Sequence, residues 1–459
     1  MINGVADLAA PWSARARAYG RPERSDERIA RHDASMLRPR PRLQVDPERE
    51  LEVWNPVAPE TIENPHPFWA WLRKEAPIWE VPGAGYFTVS RYSDVVEVSR
   101  DSESFSSALH SVVQRDDSGL PRLQKTELVG RPQARVLGVA DGEMHSRHRR
   151  VVGRTFSPSR MERMSTLALE IAERCVAGIA GRSEVDAIEA LAVPLPLELM
   201  TRLLGLPLED RADLQAWTDH AMRMSGGLAT SAELSESAAQ TQLFQAYLEE
   251  RFDEELGRPG DEVMGDLARA VKDKGSSNSG LERWEAVAIL FQLVVGGIET
   301  TVGLIGATIQ HAERISGAWS NLRQNPGSIA AFIEEAVRLD GPATGNLRRT
   351  TRDTEVAGVR LPEGSTVALL WGSANRDEAE FPEPDRFVLD RPNIRTHLGF
   401  GLAKHFCLGA ALARMETRVA LQALLQAHEH VTLAVDEGTL RHKPSFGIRR
   451  LRSLPIALG

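Results

Sequence analysis

The spacing of apolar and polar positions divides the chain into a helical majority and a strand-bearing minority. Apolar residues recur at helical intervals in "SPSRMERMSTLALEIAERCVAGIAG", which opens on a serine, and again in "RADLQAWTDHAMRM", "TQLFQAYLEERFDEEL" and "SIAAFIEEAVRL". This is the pattern of amphipathic helices. "HPFWAWLRKEAPIWEV" predicts a short helix, followed by a strand at "GYFTVSR" and a helix from "YSDVVEVSRD"; "TEVAGVRLPEGSTVALLW" alternates around Pro-Glu-Gly like a small hairpin. The longest apolar run, Ala286 to Ile298, is interrupted by Gln292 and stops at Glu299. It is too short to span a bilayer and predicts a buried helix. Ser106 to Ala140 is polar and weakly patterned, which suits a long functional loop, and "VKDKGSSNSG" reads as a turn or loop. The expected fold class is mainly α with a small β-rich region, and no internal repeat is evident.

Residues 1–46 are rich in arginine and proline with little periodicity, which predicts an extended or disordered arm. No separating linker follows, so residues 47–459 are expected to form one domain. The N-terminus lacks the apolar core and small-residue cleavage site of a signal peptide, and no membrane anchor is expected. A chain of 459 residues, 42% hydrophobic and 26% charged, buries a large core. Its 2 cysteines exclude a disulfide framework, and the absence of any C-x-x-C pair excludes the usual zinc spacing. Both facts point to a reducing compartment, with cytoplasm as the expected location. A net charge of -9 disfavours non-specific nucleic-acid binding.

One cysteine sits in a distinctive place, "HLGFGLAKHFCLGAALARMETRVAL", from His397 to Leu421. Gly399, Gly401 and Gly409 permit a tight loop and close approach to a flat partner. A helix beginning just after Cys407 aims unpaired N–H groups at the sulfur, which favours a thiolate. A thiolate on a stiff loop beside Phe400 suits axial ligation of a haem iron; the plain alternative is an inert cysteine at a helix start. The run Phe400, Gly401, Leu402, Ala403, Lys404, His405, Phe406, Cys407, Leu408, Gly409 resembles the haem loop of the cytochrome P-450 family, F-G-x-G-x-H-x-C-x-G. Ala403 replaces the second glycine, so a slightly different bend, or one with negative φ, is expected there.

Further motifs stand in the family's order. "EEAVR" carries Glu335 and Arg338 on one helical face; the resemblance implies a buried pair joined by Arg386 of "PDRF", locking the core beneath the haem. "VVGGIETT" places Gly296 and Gly297 inside a helix, at roughly 1 kcal/mol each relative to alanine. Close helix packing would account for them; the resemblance implies instead a local distortion that makes room for dioxygen. It also puts Thr300 beside that oxygen, Glu299 on the proton path, and Val294, Val295 and Ile298 along the substrate pocket. His145 and Arg149, at i and i+4, face one way and suit one carboxylate. By the same resemblance Arg348, or its neighbour Arg349, and His405 meet haem propionates.

The resemblance runs from about residue 50 to the C-terminus and is closest to the soluble bacterial branch. It implies the helical haem-thiolate prism, haem b as cofactor with Cys407 as its metal ligand, and Gly296, Phe400 and Gly409 lining the haem site. The reaction implied is monooxygenation, the hydroxylation or epoxidation of a largely hydrophobic small molecule by dioxygen. This length leaves no room for a flavin or nicotinamide domain, so the two electrons are expected from another protein, a ferredoxin with its reductase. Arg147, Arg150, Arg154, Lys404, Arg414 and Arg418 form either a basic docking patch or a solvated helix face. A haem-thiolate peroxygenase or isomerase shares the cysteine loop but commonly lacks the acid-alcohol pair kept here as Glu299 and Thr300. A non-catalytic haem-binding protein needs no such pair, and substrate turnover separates it.

Overall fold

The computed structural model describes residues 53–125, 135–273 and 280–459. The expected arm over 1–46 and part of the expected 106–140 loop lie outside these residues. The helices that position the site are α1 (His66–Glu75), α2 (Gly142–Gly153), α3 (Pro158–Ala177), α4 (Pro194–Leu204), α5 (Arg211–Ser225), α6 (Ser231–Gly257), α7 (Arg283–Arg314), α8 (Ile329–Asp340) and α9 (Ala410–Ala427). Two begin with reciprocal caps: Thr230 with Glu233 opens α6, and Glu282 with Glu285 opens α7, each pair satisfying backbone donors that the first turn leaves free. The C-terminal part of α7 buries every residue from Thr301 to Ala312, as an all-round apolar helix must. It is the one described helix long and apolar enough to cross a membrane, yet 56% of its most apolar stretch is buried inside the protein. Helices α4, α8 and α9 pack against it, and α3 packs on α4 and α9, in one continuous core.

The strands are β1 (Ile78–Glu80), β2 (Tyr86–Val89), β3 (Phe105–Ser106), β4 (Ser111–Arg115), β5 (Pro121–Lys125), β6 (Glu184–Asp186), β7 (Asn346–Thr350), β8 (Thr354–Val356), β9 (Val359–Leu361), β10 (Thr366–Leu369), β11 (Val431–Leu433) and β12 (Pro455–Leu458). A five-stranded sheet runs β1-β2-β10-β7-β3, a smaller one β11-β12-β6, and two hairpins stand apart. The predicted hairpin around Pro362-Glu363-Gly364 is displaced. The tight turn is Ala357-Gly358, with φ of 49° and 80°, the positive values that a two-residue hairpin requires. β10 then leaves to join β2 and β7.

The weakly patterned segment after Ser106 forms the β4–β5 hairpin rather than an open loop. Asp116 closes its turn by accepting from the amides of Ser118 (2.8 Å) and Leu120 (3.0 Å). The hairpin docks on the α5–α6 connection: the Arg115 amide donates to the Gly227 carbonyl at 2.7 Å, and a Cβ on Gly227 would lie 2.4 Å from the Val113 carbonyl oxygen. Only glycine fits there.

Helix α9 carries one anomaly. Glu416 is 1% exposed, its Oε2 has no partner, and burial pushes its pKa from 4.5 up to about 8. The folded protein therefore holds a proton that the unfolded chain releases near pH 4.5. The stability from Glu416 is fully present below that pH and is lost as pH rises toward 8, by an amount on the order of a few kcal/mol. Relative to Glu416→Gln, the wild-type urea midpoint is expected to fall between about pH 5 and about pH 8; parallel curves would contradict this.

Candidate active site

The loop before α9 holds Cys407 by its backbone. The Cys407 amide donates to the Phe400 carbonyl at 2.7 Å, closing the loop on itself. Gly401 has φ of 71° and Ala403 φ of 56°. The expectation of a negative φ at 403 is thus corrected: the alanine keeps the left-handed bend, at roughly 1–2 kcal/mol. The Arg414 guanidinium lies 4.2 Å over the Phe400 ring and binds Glu334, which also binds His397 at 2.9 Å. The loop is thereby fastened to α8 and α9.

Cys407 is exposed as a residue, yet protein atoms crowd its sulfur enough to desolvate it. Burial raises the thiol pKa above its ordinary value, opposed by the Gly409 N–H and the charges of Arg149 and Arg414. This corrects the expectation that the helix start alone favours a thiolate: the helix N–H pulls the right way, but desolvation is larger. A bound cation would reverse the balance, because a coordinating thiol is deprotonated by its metal.

Around the loop gather nitrogen donors, with Asp141 near His405 as their one neighbouring carboxylate among the described residues. Arg149 on α2 donates to the Phe406 carbonyl at 2.9 Å. His145, one turn earlier, is 5% exposed and stacks on His405 with ring centroids 4.2 Å apart; burial first, and the neighbouring His405 second, push its pKa down to about 4. His405 Nδ1 is buried without a partner, and its Nε2 is 3.7 Å from Asp141. Arg348 on β7 is 4% exposed, donates to its neighbour's carbonyl at 2.8 Å, and forms no ion pair among the described residues; burial pushes its pKa down to about 10. Buried cations and an orphaned imidazole nitrogen are costly unless paired. A dianionic group carrying a metal for Cys407 meets both needs, so these residues fit haem. Arg348 rather than Arg349 is the buried arginine, since Arg349 is only partly buried.

The central helix divides the glycine question between its two answers. A Cβ on Gly297 would lie 2.2 Å from Met200 Cε, which is close packing against α4; a Cβ on Gly296 would meet nothing within 4 Å, which is open space. The helix is continuous from Arg283 to Arg314, so the expected distortion is absent from its hydrogen-bonding class. Thr300 Oγ donates to the Gly296 carbonyl at 2.6 Å. Val294 and Ile298 are each 1% exposed inside the main core, which corrects their assignment to the pocket: helical periodicity turns them to the back of α7. Gly296 is exposed and Val295 and Thr300 are partly so, Val295 with one side against the core.

Glu299, 3% exposed, is ion-paired to Arg450 of the C-terminal segment and lies 3.9 Å from Lys443, which binds Asp219 of α5 at 2.5 Å. Neither cation is signalled in the sequence, as Arg450 is 151 residues away. Beneath the cysteine loop, Glu335 and Arg338 are both fully buried and joined at 2.7 and 2.8 Å. The third member is Arg391, whose Nε reaches both Glu335 oxygens at 3.0 and 3.2 Å. Arg386, expected in that role, points outward to Glu383 and contributes only its carbonyl, which accepts from Arg338 and Arg391 at 3.0 Å each.

The candidate basic patch is smaller than its sequence suggests. Arg414 is committed to Glu334 and Arg147 to Glu285, while Arg154, Lys404 and Arg418 are exposed. The C-terminal turn at residues 445–447 is tied to two distant segments. Phe446 donates its amide to the Gly226 carbonyl at 2.8 Å, and Thr344 its own to Gly447 at 3.0 Å.

Comparisons with known proteins bear on this geometry. Residues 324–453 match the family model described as cytochrome P-450. Cytochrome P-450 144 of Mycobacterium tuberculosis is 30% identical over 399 residues, 87% of this chain and 90% of that protein. The vitamin D(3) 25-hydroxylase of Pseudonocardia autotrophica is 32% identical over 404 residues, 86% of this chain and 94% of that protein. Among solved structures, the haem domain of a Tepidiphilus thermophilus cytochrome P-450 superposes with a TM-score of 0.80 at 26% identity, covering 89% of this chain and 97% of that one.

Proposed function

The chain belongs to the cytochrome P-450 family, and from that premise we propose that it hydroxylates or epoxidises a largely hydrophobic small molecule, with electrons from a ferredoxin-type partner. It is a haem-thiolate monooxygenase with haem b as cofactor. When bound, that cofactor supplies the activation of dioxygen and the insertion of one oxygen atom. The observation that carries the site assignment is the pair of under-satisfied donors near Cys407, the buried Arg348 with no ion pair among the described residues and the orphaned Nδ1 of His405. Cys407 would ligate the iron, His145, Arg149, Arg348 and His405 would pair with the propionates, and Phe400, Gly409 and Gly296 would line the ring. Residues 47–459 act as one haem domain in this reading, and the location is cytoplasmic, in keeping with bacterial relatives.

The protein's own contribution to oxygen chemistry is a matter of protons. Thr300 spends its hydroxyl hydrogen on the Gly296 carbonyl, which leaves Oγ lone pairs facing the open side of α7 to accept a hydrogen bond. Glu299 holds the next proton position inward, and the route from solvent runs past Asp219 and Lys443 to Arg450 and Glu299. Burial excludes bulk water from the inner end, where stray protons would divert electrons to peroxide. The relative from Pseudonocardia autotrophica, a hydroxylase of vitamin D(3), supports a hydrophobic substrate.

The test is coupling. Thr300→Ala should retain haem and substrate affinity while product per dioxygen consumed falls roughly 10-fold and peroxide rises in step; Glu299→Gln should enlarge the solvent isotope effect. Unchanged coupling and an unchanged isotope effect would make the motif a packing feature. Electron delivery has its own test: with Arg154, Lys404 and Arg418 exposed on an acidic chain, reduction by an acidic ferredoxin should slow as salt rises. A salt-independent rate would place docking elsewhere.

A further inference from the structure

The entry to α2 is tied to the central helix by hydrogen bonds that neither haem binding nor proton delivery uses. His148 is wholly buried on α2, and its Nε2 lies 3.1 Å from Oε1 of Glu285, itself 1% exposed in the first turn of α7. Arg147 also binds Glu285 and balances its charge. On the other side of the ring, Nδ1 accepts from the Leu137 amide at 3.3 Å. One tautomer of the neutral imidazole serves both contacts, Nε2–H donating to the carboxylate while Nδ1 accepts. Burial lowers the His148 pKa, in agreement with that neutral ring.

The next residue is held as well. The Gly138 amide donates to Gln292 Oε1 at 3.0 Å. Gln292 is the polar interruption in the longest apolar run, and an apolar helix explains no such residue. It stands four residues before Gly296, hence on the same face and about 6 Å along the axis, next to the open space over that glycine. Between the two anchors Leu137 has φ of 40°, a left-handed conformation that leucine keeps only when its surroundings impose it.

We propose that His148 and Gln292 are positioning residues for the substrate pocket: together they fix Leu137–Val139 across the central helix, so that this wall is set before substrate arrives. Glu285 orients His148, and Arg147 reaches the network from the surface side. The identification of the space beyond the strap as the substrate pocket rests on the monooxygenase reading. The ordering of the strap does not.

The test uses the full haem-loaded protein with two readouts. By hydrogen exchange, His148→Leu and Gln292→Leu should each speed exchange at Leu137 and Gly138 by roughly 10-fold, the protection expected of one anchoring hydrogen bond. His148→Asn, which keeps an acceptor for the Leu137 amide, should restore protection at that residue. By Soret titration, 4-phenylimidazole, long enough to reach the wall, should bind Gln292→Leu several-fold more weakly than wild type, while plain imidazole binds both alike. Equal exchange and equal 4-phenylimidazole affinity in Gln292→Leu would overturn the proposal, even if His148→Leu fails to fold. A wild-type protein whose Soret band answers neither imidazole would instead overturn the haem reading, leaving the exchange result to judge the strap.

Discussion

Arg391→Met is expected to destabilise the protein by about 3–5 kcal/mol, whereas Arg386→Ala stays within about 0.5 kcal/mol of wild type. Glu335 is a fully buried carboxylate held by two guanidinium groups and by the Val388 amide at 3.0 Å. Taking away one cation strands part of that charge in a medium that does not solvate it, and breaks the donors that Arg391 sends to the Pro382 carbonyl at 2.6 Å and the Arg386 carbonyl at 3.0 Å. Arg386 makes its ion pair at the surface, where screening leaves little. Urea unfolding of the two variants side by side measures the difference. Equal midpoints would mean that the segment is held by its backbone rather than by this ion cluster.

The second large effect is on activity. Cys407→His is expected to lower product formation by at least ~100-fold while the fold, and a bound haem, survive. The loop is closed by the Cys407 amide on the Phe400 carbonyl and fastened by Arg414 to Glu334, none of which needs the sulfur. A neutral imidazole in its place removes the anionic donor that favours cleavage of the oxygen-oxygen bond. Product assays at equal haem content decide it, and equal rates in variant and wild type would remove Cys407 from the chemistry.

What was legible in the sequence follows from how local each signal is. Helix α7 announces itself by a run of apolar residues, and Glu335 with Arg338 by a three-residue spacing that puts both on one face of α8. The cysteine loop is legible because glycine, aromatic and cysteine stand at fixed short intervals. The β4–β5 hairpin was not legible: its strands alternate poorly, since Val113 faces the core while its partner Leu123 is only partly buried, and its stability comes from docking on Gly227. The sequence does not separate Arg391 from Arg386, because both lie in one irregular segment where no periodicity says which side chain turns inward. Val294 and Ile298 meet a different limit: periodicity puts them on one face of α7 but does not say which face meets the core. Arg450 and Gln292 act through tertiary contacts with Glu299 and Gly138; Gln292 shows in the sequence as a break in an apolar run, but the partner of neither residue does.

The central claim is that Cys407 gives its thiolate to a haem iron in a cage of donors built by α2, β7 and the loop before α9. The direct measurement is the absorption spectrum of the reduced protein under carbon monoxide, wild type beside Cys407→His at equal haem content. The account predicts the red-shifted Soret band of thiolate ligation in the wild type and its loss in the variant. A wild-type protein that binds no haem, or one whose carbon monoxide spectrum is the same in the variant, would contradict it.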